Sequence, residues 1–317
     1  MQKLFLKMGA ATRDAYGKAL VELGEKHKEI IVLDADLSKS TRSYSFSKKF
    51  PDRFINVGIC EANMIGIAAG LAACGKLPFI SSFASFLICK GYEQIRMGIA
   101  LTGLNVKLVG SHSGITLGED GVSQMSIEDI ALMTSLPGFT VISPSDEISA
   151  YELTMQLGEY SGPVFLRTGR AKTPVVYTNG AGAKIGKALI PRSGSSVAIV
   201  ACGIEVAESL IAAEMLKEDG IDAAVIDMHT IKPLDEETLE KFARRCGAVV
   251  TAEEHQIWGG LGAAVAQALS RRFPVPIEQV AMMDTYAKSG NSDALKEKYG
   301  LTAKHIVIAA KKAISRK

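Results

Sequence analysis

Residues 53–75 read RFINVGICEANMIGIAAGLAACG, and two periodicities meet there. "FINVG" is a short β-rich run closed by glycine, whereas "ANMIGIAAGLAA" carries the small and apolar residues of a packed helix. A strand that passes through a tight break into a helix is half of a strand–helix–strand unit, and such units build parallel sheets. The pattern recurs: "EIIVLDAD", "RFINVG", "LPFISS", "NVKLVG", "FTVISP" and "PVFLRT" alternate with helix-period segments from Thr12 to about Ser161. The fold class that follows is α/β, a doubly wound, mostly parallel sheet with helices on both faces. In such sheets functional residues gather at the carboxyl ends of strands, where the following loops begin.

Residues 171–196, AKTPVVYTNGAGAKIGKALIPRSGSS, lose this periodicity and are rich in Gly, Ser, Thr and Pro. Beyond them "SVAIVAC", "DAAVIDM", "AVVTAEE" and "PIEQVAM" read as strands of a second, smaller α/β domain. The expected division is a first domain over 1–175, a linker over 176–195 and a second domain over 196–317. A chain of 317 residues with 47% hydrophobic residues can form two cores. The formal net charge of +2 is scattered, so neither a nucleic-acid nor an anionic membrane surface is indicated. Five cysteines without Cys-x-x-Cys spacing support no disulfide framework and no zinc site. With no signal-peptide core and only the short apolar run "IGIAAGLAA", the expectation is a soluble, cytoplasmic protein.

Several residues could carry chemistry. Glu61 stands alone at the head of an apolar helix, either as a helix-terminal carboxylate steadied by the dipole or as a buried acid held for a proton or hydrogen-bond task. Spacing does not decide between them. Phe83 and Phe86, three apart after a strand, could line a pocket or simply pack. The long loop GSHSGITLGEDGVSQ carries His112 between a strand and two acids, Glu119 and Asp120, as a proton-transfer residue would need. Arg13 and Arg170 could grip a phosphate with their planar donor forks or remain surface charges. His255 and Trp258 in "TAEEHQIWGGLG" suit packing or an interface better than catalysis. No P-loop, Rossmann glycine pattern, His-Glu-x-x-His or Gly-x-Ser-x-Gly is present. Neither is a Gly-Asp-Gly segment followed some thirty residues on by Asn, the pattern that holds a diphosphate and its metal.

These segments, in order, resemble the C-terminal half of transketolase: "ATRDAYGKAL", "VLDADLSKST", "FPDRFINVGICEANMIGIAAGLA", "SSFASF", "YEQIRM", "GSHSGITLGEDGVSQMSIEDIALMTSLPG", "VISPSD" and "FLRTGR". "GEDGVSQMSIEDIA" is the most specific of them, while "IDMHTIKPLD" and "TAEEHQIWGGLGAAVAQAL" are shared across the superfamily. The resemblance implies the pyrimidine-binding and C-terminal domains without the diphosphate-binding domain, as in the smaller subunit of a split transketolase. That subunit would work with an N-terminal, diphosphate-binding subunit, as an α2β2 heterotetramer with shared active sites. The implied cofactor is thiamine diphosphate, with Mg2+ or Ca2+ held by the partner and no metal ligands in this chain.

By the same resemblance Glu61 hydrogen-bonds the pyrimidine ring nitrogen and favours its imino form, Phe83 and Phe86 enclose that ring, and Asp36 lies near the cofactor. His112 exchanges protons with a sugar hydroxyl and Asp120 reads the donor ketose. Arg13, Ser40 and Arg170 hold the far end of a sugar phosphate by charge-assisted bonds, and Gln124, where some relatives carry histidine, binds a sugar hydroxyl. One extra residue between Phe86 and the "YEQIR" helix leaves open whether Cys89 or Lys90 completes the pocket. The small residues Ala62, Gly66, Ala69 and Gly70 would pack at a subunit interface. The implied reaction is transfer of a two-carbon ketol unit between sugar phosphates, as in central pentose phosphate metabolism. Two other readings stand beside it: the beta subunit of a 2-oxoacid decarboxylase or dehydrogenase, or a deoxyxylulose-phosphate-synthase-like protein; and a scaffold that kept the fold without the chemistry.

Overall fold

The computed structural model describes residues 6–317. The first half runs β1 (Met8–Ala11), α1 (Thr12–Lys26), β2 (Ile30–Asp34), α2 (Ser38–Thr41), α3 (Tyr44–Lys49), β3 (Phe54–Asn56), α4 (Glu61–Ala73), β4 (Leu77–Phe83), α5 (Lys90–Ile95), β5 (Lys107–Ser111), α6 (Asp129–Ser135), β6 (Thr140–Ile142), α7 (Glu147–Gln156), β7 (Val164–Arg167) and β8 (Lys172–Pro174). The second half runs β9 (Leu189–Arg192), β10 (Val197–Ala201), α8 (Glu205–Glu218), β11 (Ala223–Asp227), β12 (Thr230–Lys232), α9 (Glu236–Cys246), β13 (Val249–Gln256), α10 (Leu261–Arg272), β14 (Ile277–Met282), α11 (Ser292–Tyr299) and α12 (Ala303–Ile314).

Two sheets organise these elements, in the orders β12-β6-β7-β5-β4-β2-β3 and β14-β13-β10-β11-β9. Within the first, β2 to β7 pair in parallel, and the central strands β4, β5 and β7 are buried along their whole length. Burial on both faces is why these strands read as unbroken apolar runs rather than as alternations. From β2 the chain steps outward to β3 and then returns to the other side at β4. The order therefore reverses beside β2, and a crevice opens there at the strands' carboxyl ends.

Two features depart from the expected two-domain picture. The segment 176–195, expected to be linker, contributes β9 to the second sheet, where it pairs antiparallel with β11. It is a half-exposed edge strand containing Pro191, and an edge is where a sheet tolerates a residue that cannot donate to the ladder. In addition β12, from the second half, pairs antiparallel with β6 and completes the first sheet (Thr230 opposite Ile142, Lys232 opposite Val141). Lys232 Nζ then donates to the carbonyls of Thr134 and Leu136 at the end of α6, at 2.9 and 2.5 Å. One apolar cluster accordingly runs from Ile65 and Leu108 through Phe139 and Ile231 to Leu239 and Val249, without a break between the halves.

The extra residue after Phe86 has a structural counterpart. A π-helical turn over Ser85–Cys89 precedes α5, and such a turn absorbs one additional residue without breaking the helix. A second π turn, Arg96–Ala100, follows α5.

Candidate active site

Every site residue proposed from sequence lies at or just beyond the carboxyl end of a first-sheet strand, or on α1 facing those ends. Glu61 opens α4, directly after β3, and is 1% exposed. It makes no capping bond to its own helix. Instead Oε1 accepts from Ser82 Oγ on β4 at 3.2 Å and Oε2 from Lys90 Nζ at 3.0 Å. A carboxylate placed at the positive end of a helix but bonded elsewhere is being aimed, which favours the second of its two readings. Lys90 is itself largely exposed, and its Nζ lies 6.0 Å from the Phe86 ring centre.

From Phe86 the wall continues. The Phe86 and Phe83 rings stack with centres 5.6 Å apart, and Phe83 stacks on the His112 imidazole at 3.8 Å. His112 follows β5 with φ +59°, in the left-handed region that a non-glycine residue adopts at some cost. Of the four such non-glycine residues among those described, Asp36, Arg42 and His112 border this crevice. Such strain collects where neighbours dictate the backbone.

His112 is buried, with Nδ1 2.8 Å from Ser111 Oγ and Nε2 2.9 Å from Arg13 Nη1. A guanidinium can only donate, so Nε2 is the acceptor and the ring proton sits on Nδ1 toward Ser111. Burial, and then the positive fields of Arg13, Arg170 and Arg42, push the imidazole pKa down to about 3, so the ring is neutral near pH 7. Arg13 also donates to the Ser40 carbonyl at 2.9 Å. Its Nε is buried without a protein partner, and burial and Arg42 lower the guanidinium's pKa. A buried charged donor left open calls for an acceptor.

Ser40 is held in reach by Asp34 at the end of β2, a residue the sequence reading passed over. Its carboxylate accepts from the Leu37 amide (2.6 Å), Thr41 Oγ1 (2.7 Å) and Ser43 Oγ (2.9 Å), fixing α2. Asp36 is exposed and pairs reciprocally with Asn56 through its amide and carboxylate, each at 3.0 Å, which puts it on the rim. Arg170 donates to Asp120 Oδ1 and to the Leu117 carbonyl, both at 3.1 Å. Arg13 and Arg170 line one cavity of about 280 Å³ with Leu117, Gly118, Asn291 and Ser292, the last two from the second half. Gln124 meets the rest through its backbone, whose carbonyl accepts from Ser85 Oγ at 3.0 Å. His255, by contrast, is buried and accepts from the Ala131 amide, while Trp258 is exposed.

Among the described residues no group of three His, Cys, Asp or Glu side chains could hold a metal, and no helix is long and apolar enough to cross a membrane. The five cysteines are unpaired.

Comparison with known proteins adds a family to this geometry. Residues 8–175 match the transketolase pyrimidine-binding domain and residues 186–306 the transketolase C-terminal domain. A 6-deoxy-6-sulfo-D-fructose transketolase subunit from Clostridium sp. is 44% identical, over 96% of this chain and 95% of its own length. Transketolase-like protein 2 of Mus musculus is 41% identical over 96% of this chain, which spans only 49% of that longer protein. A solved split-gene transketolase, described as an inactive beta4 tetramer, superposes with a TM-score of 0.90 at 46% identity, covering 98% of this chain and 99% of that one.

Proposed function

This chain belongs to the transketolase family, and we propose that it is the pyrimidine-binding and C-terminal subunit of a split transketolase, moving a two-carbon ketol unit between sugar phosphates when joined to a separate diphosphate-binding chain. What carries this reading is one unbroken run of contacts. It passes from Glu61 through Lys90, Phe86, Phe83 and His112 to Arg13, and reaches Arg170 across a shared cavity. An acid with an aromatic wall at one end and two guanidiniums at the other suits a heterocyclic cofactor beside a sugar with an anionic tail.

The residues fit the pyrimidine of thiamine diphosphate. The Lys90 ammonium, between the buried Glu61 carboxylate and the Phe86 face, marks where a ring N–H would donate, and its exposed side chain can leave at little cost. When bound, the cofactor supplies the electron sink that lets the ketose C2–C3 bond break. Glu61 would accept the ring N–H with the oxygen that Lys90 occupies here, and Phe83 and Phe86 would exclude water from the ring's face. Neutral His112 offers Nε2 as an acceptor for a sugar hydroxyl proton once Arg13 turns to the anionic tail. Asp120 and Gln124 address donor hydroxyls, and Asp36 borders the cofactor. The exposed face of α4, including Gly66 and Gly70, which have open space beside them in this chain, would meet the diphosphate-binding subunit, which also holds the divalent metal.

A second reading concerns the tail. Asp120 already pairs with Arg170, and Glu119 also lines the cavity, so the two guanidiniums are largely offset and a singly charged sulfonate suits the site as well as a phosphate. The Clostridium relative favours that alternative. The decisive experiment purifies this chain with and without its diphosphate-binding partner, adds thiamine diphosphate and Mg2+, and assays ketol transfer from a ketose phosphate and from a 6-sulfo ketose. Activity only in the mixture supports the proposal, and the higher kcat/KM identifies the tail. Full activity of the single chain, or turnover of a 2-oxoacid in preference to both ketoses, overturns it.

A further inference from the structure

The loop from His112 to Asp120 is shaped from behind by the second half of the molecule, and the proposed reaction gives no task to Glu254, the acid at the centre of that contact. Glu254, near the end of β13, is 5% exposed and reaches out of its own sheet, where its Oε1 accepts the Thr116 amide at 2.6 Å. A Cβ on Gly114, which has φ +80°, would lie within 2.4 Å of both carboxylate oxygens, so the loop backbone is wrapped tightly around this side chain. Further along, Ser292 Oγ donates to the Thr116 carbonyl and Ser289 Oγ to the Glu119 carbonyl, both at 2.7 Å.

The other end of Glu254 is fixed as well. Arg167, fully enclosed at the end of β7, donates to the Glu254 carbonyl at 2.9 Å, to the Ser126 carbonyl at 3.2 Å and to Asp129 Oδ2 at 2.8 Å. The loop's far end and the strand that carries Glu254 are thus clamped by one guanidinium. Within the loop, the Leu117 carbonyl and Asp120 carboxylate are the two groups that hold Arg170.

We infer that Glu254 is a positioning residue: by gripping the Thr116 amide it sets the 112–120 loop, and through Leu117 and Asp120 it sets the angle at which Arg170 meets the anionic tail of the substrate. The inference rests on the functional reading above and gives the second domain a task in tail recognition. Removing the carboxylate leaves Glu61, Phe83 and Phe86 untouched, and His112 keeps its own anchors in Ser111 and Arg13, so the defect falls mainly on substrates that use Arg170.

The test compares wild type, Glu254→Gln, Glu254→Ala and Ser292→Ala, each assembled with the diphosphate-binding chain, on a ketose phosphate and on the corresponding free ketose. In Glu254→Ala, kcat/KM for the phosphorylated donor is expected to fall about ten-fold, mainly through KM, and for the free ketose less than about two-fold. Glu254→Gln, which keeps an acceptor oxygen for Thr116, should recover most of the loss, and Ser292→Ala should shift the same ratio by a smaller factor. An equal fall for both donors, or none for either, overturns the inference. If Glu254→Ala does not assemble, Glu254→Gln and Ser292→Ala decide by the same ratio. A wild-type assembly inactive on both donors overturns the functional reading itself, whereas an active wild type with unselective variants overturns only the role of Glu254.

Discussion

Glu61 combines burial, a helix terminus and two side-chain donors, and its replacement is the sharpest residue-scale test of the site. Glu61→Gln keeps the volume and the Ser82 contact but removes the acid. In the assembled enzyme kcat should fall by about a hundred-fold or more with the circular dichroism spectrum unchanged. His112 makes a different prediction, because its imidazole is held neutral with a pKa near 3 in the folded state, against 6.5 as the unperturbed value. The unfolded chain then binds more protons below about pH 6.5, so this residue lowers stability as pH falls from there toward 3. Buried His229, pushed down to about 4 by desolvation, acts in the same sense. Asp227, raised to about 7 by burial, acts in the opposite one, gaining stability as pH falls through 7. A urea midpoint measured at pH 7 and pH 5 should therefore drop less in His112→Asn than in wild type, and an unchanged difference would remove the neutral-imidazole assignment. At this scale residue type and position single out charged and aromatic candidates but not the partners they bond. Arg13, His112 and Arg170 could each be named from type and position, but the Arg13 to His112 bond joins the start of α1 to the loop after β5, 99 residues further on. Asp34 and Glu254 escaped notice because an acid that bonds backbone amides leaves no spacing signal.

At the scale of elements, the parallel strands were readable because burial on both faces leaves only apolar runs, whereas β12 was not. Three residues, Thr230–Lys232, carry too little periodicity to mark a strand, and their partner β6 belongs to the other domain. The helix after Phe86 falls between these cases: the resemblance raises an additional residue there, but a π turn over Ser85–Cys89 is a matter of backbone geometry that no residue pattern marks. The packing of α1 on the α2 segment supplies the test. A Cβ on Gly17 would stand 2.6 Å from Arg42 Cβ and 2.9 Å from the Arg42 carbonyl oxygen. Backbone cannot yield as a side-chain tip does, so Gly17→Ala should push the Ser40 carbonyl away from Arg13. It should cost about 1–3 kcal/mol of stability and raise KM for the phosphorylated donor in the assembled enzyme. Thermal unfolding and the KM measurement check the two parts separately.

For the whole molecule, the two matched domains are less separable than their sequence boundary suggests. The apolar cluster is continuous across them, and Lys232 caps α6 from the other side. A fragment ending at residue 185 retains every parallel strand of the first sheet but leaves the outer edge of β6 unpaired. It should aggregate or unfold at a lower temperature than the full chain, and addition of residues 186–317 in trans should raise the solubility that size-exclusion chromatography reports.

The origin of β12 also governs when the first sheet can be finished during synthesis. Strand β6 leaves the ribosome early, but the strand that covers it is translated only after β10, α8 and β11. The nascent first domain therefore waits with an open β-edge while the second half is made, and this interval is when it most needs a chaperone.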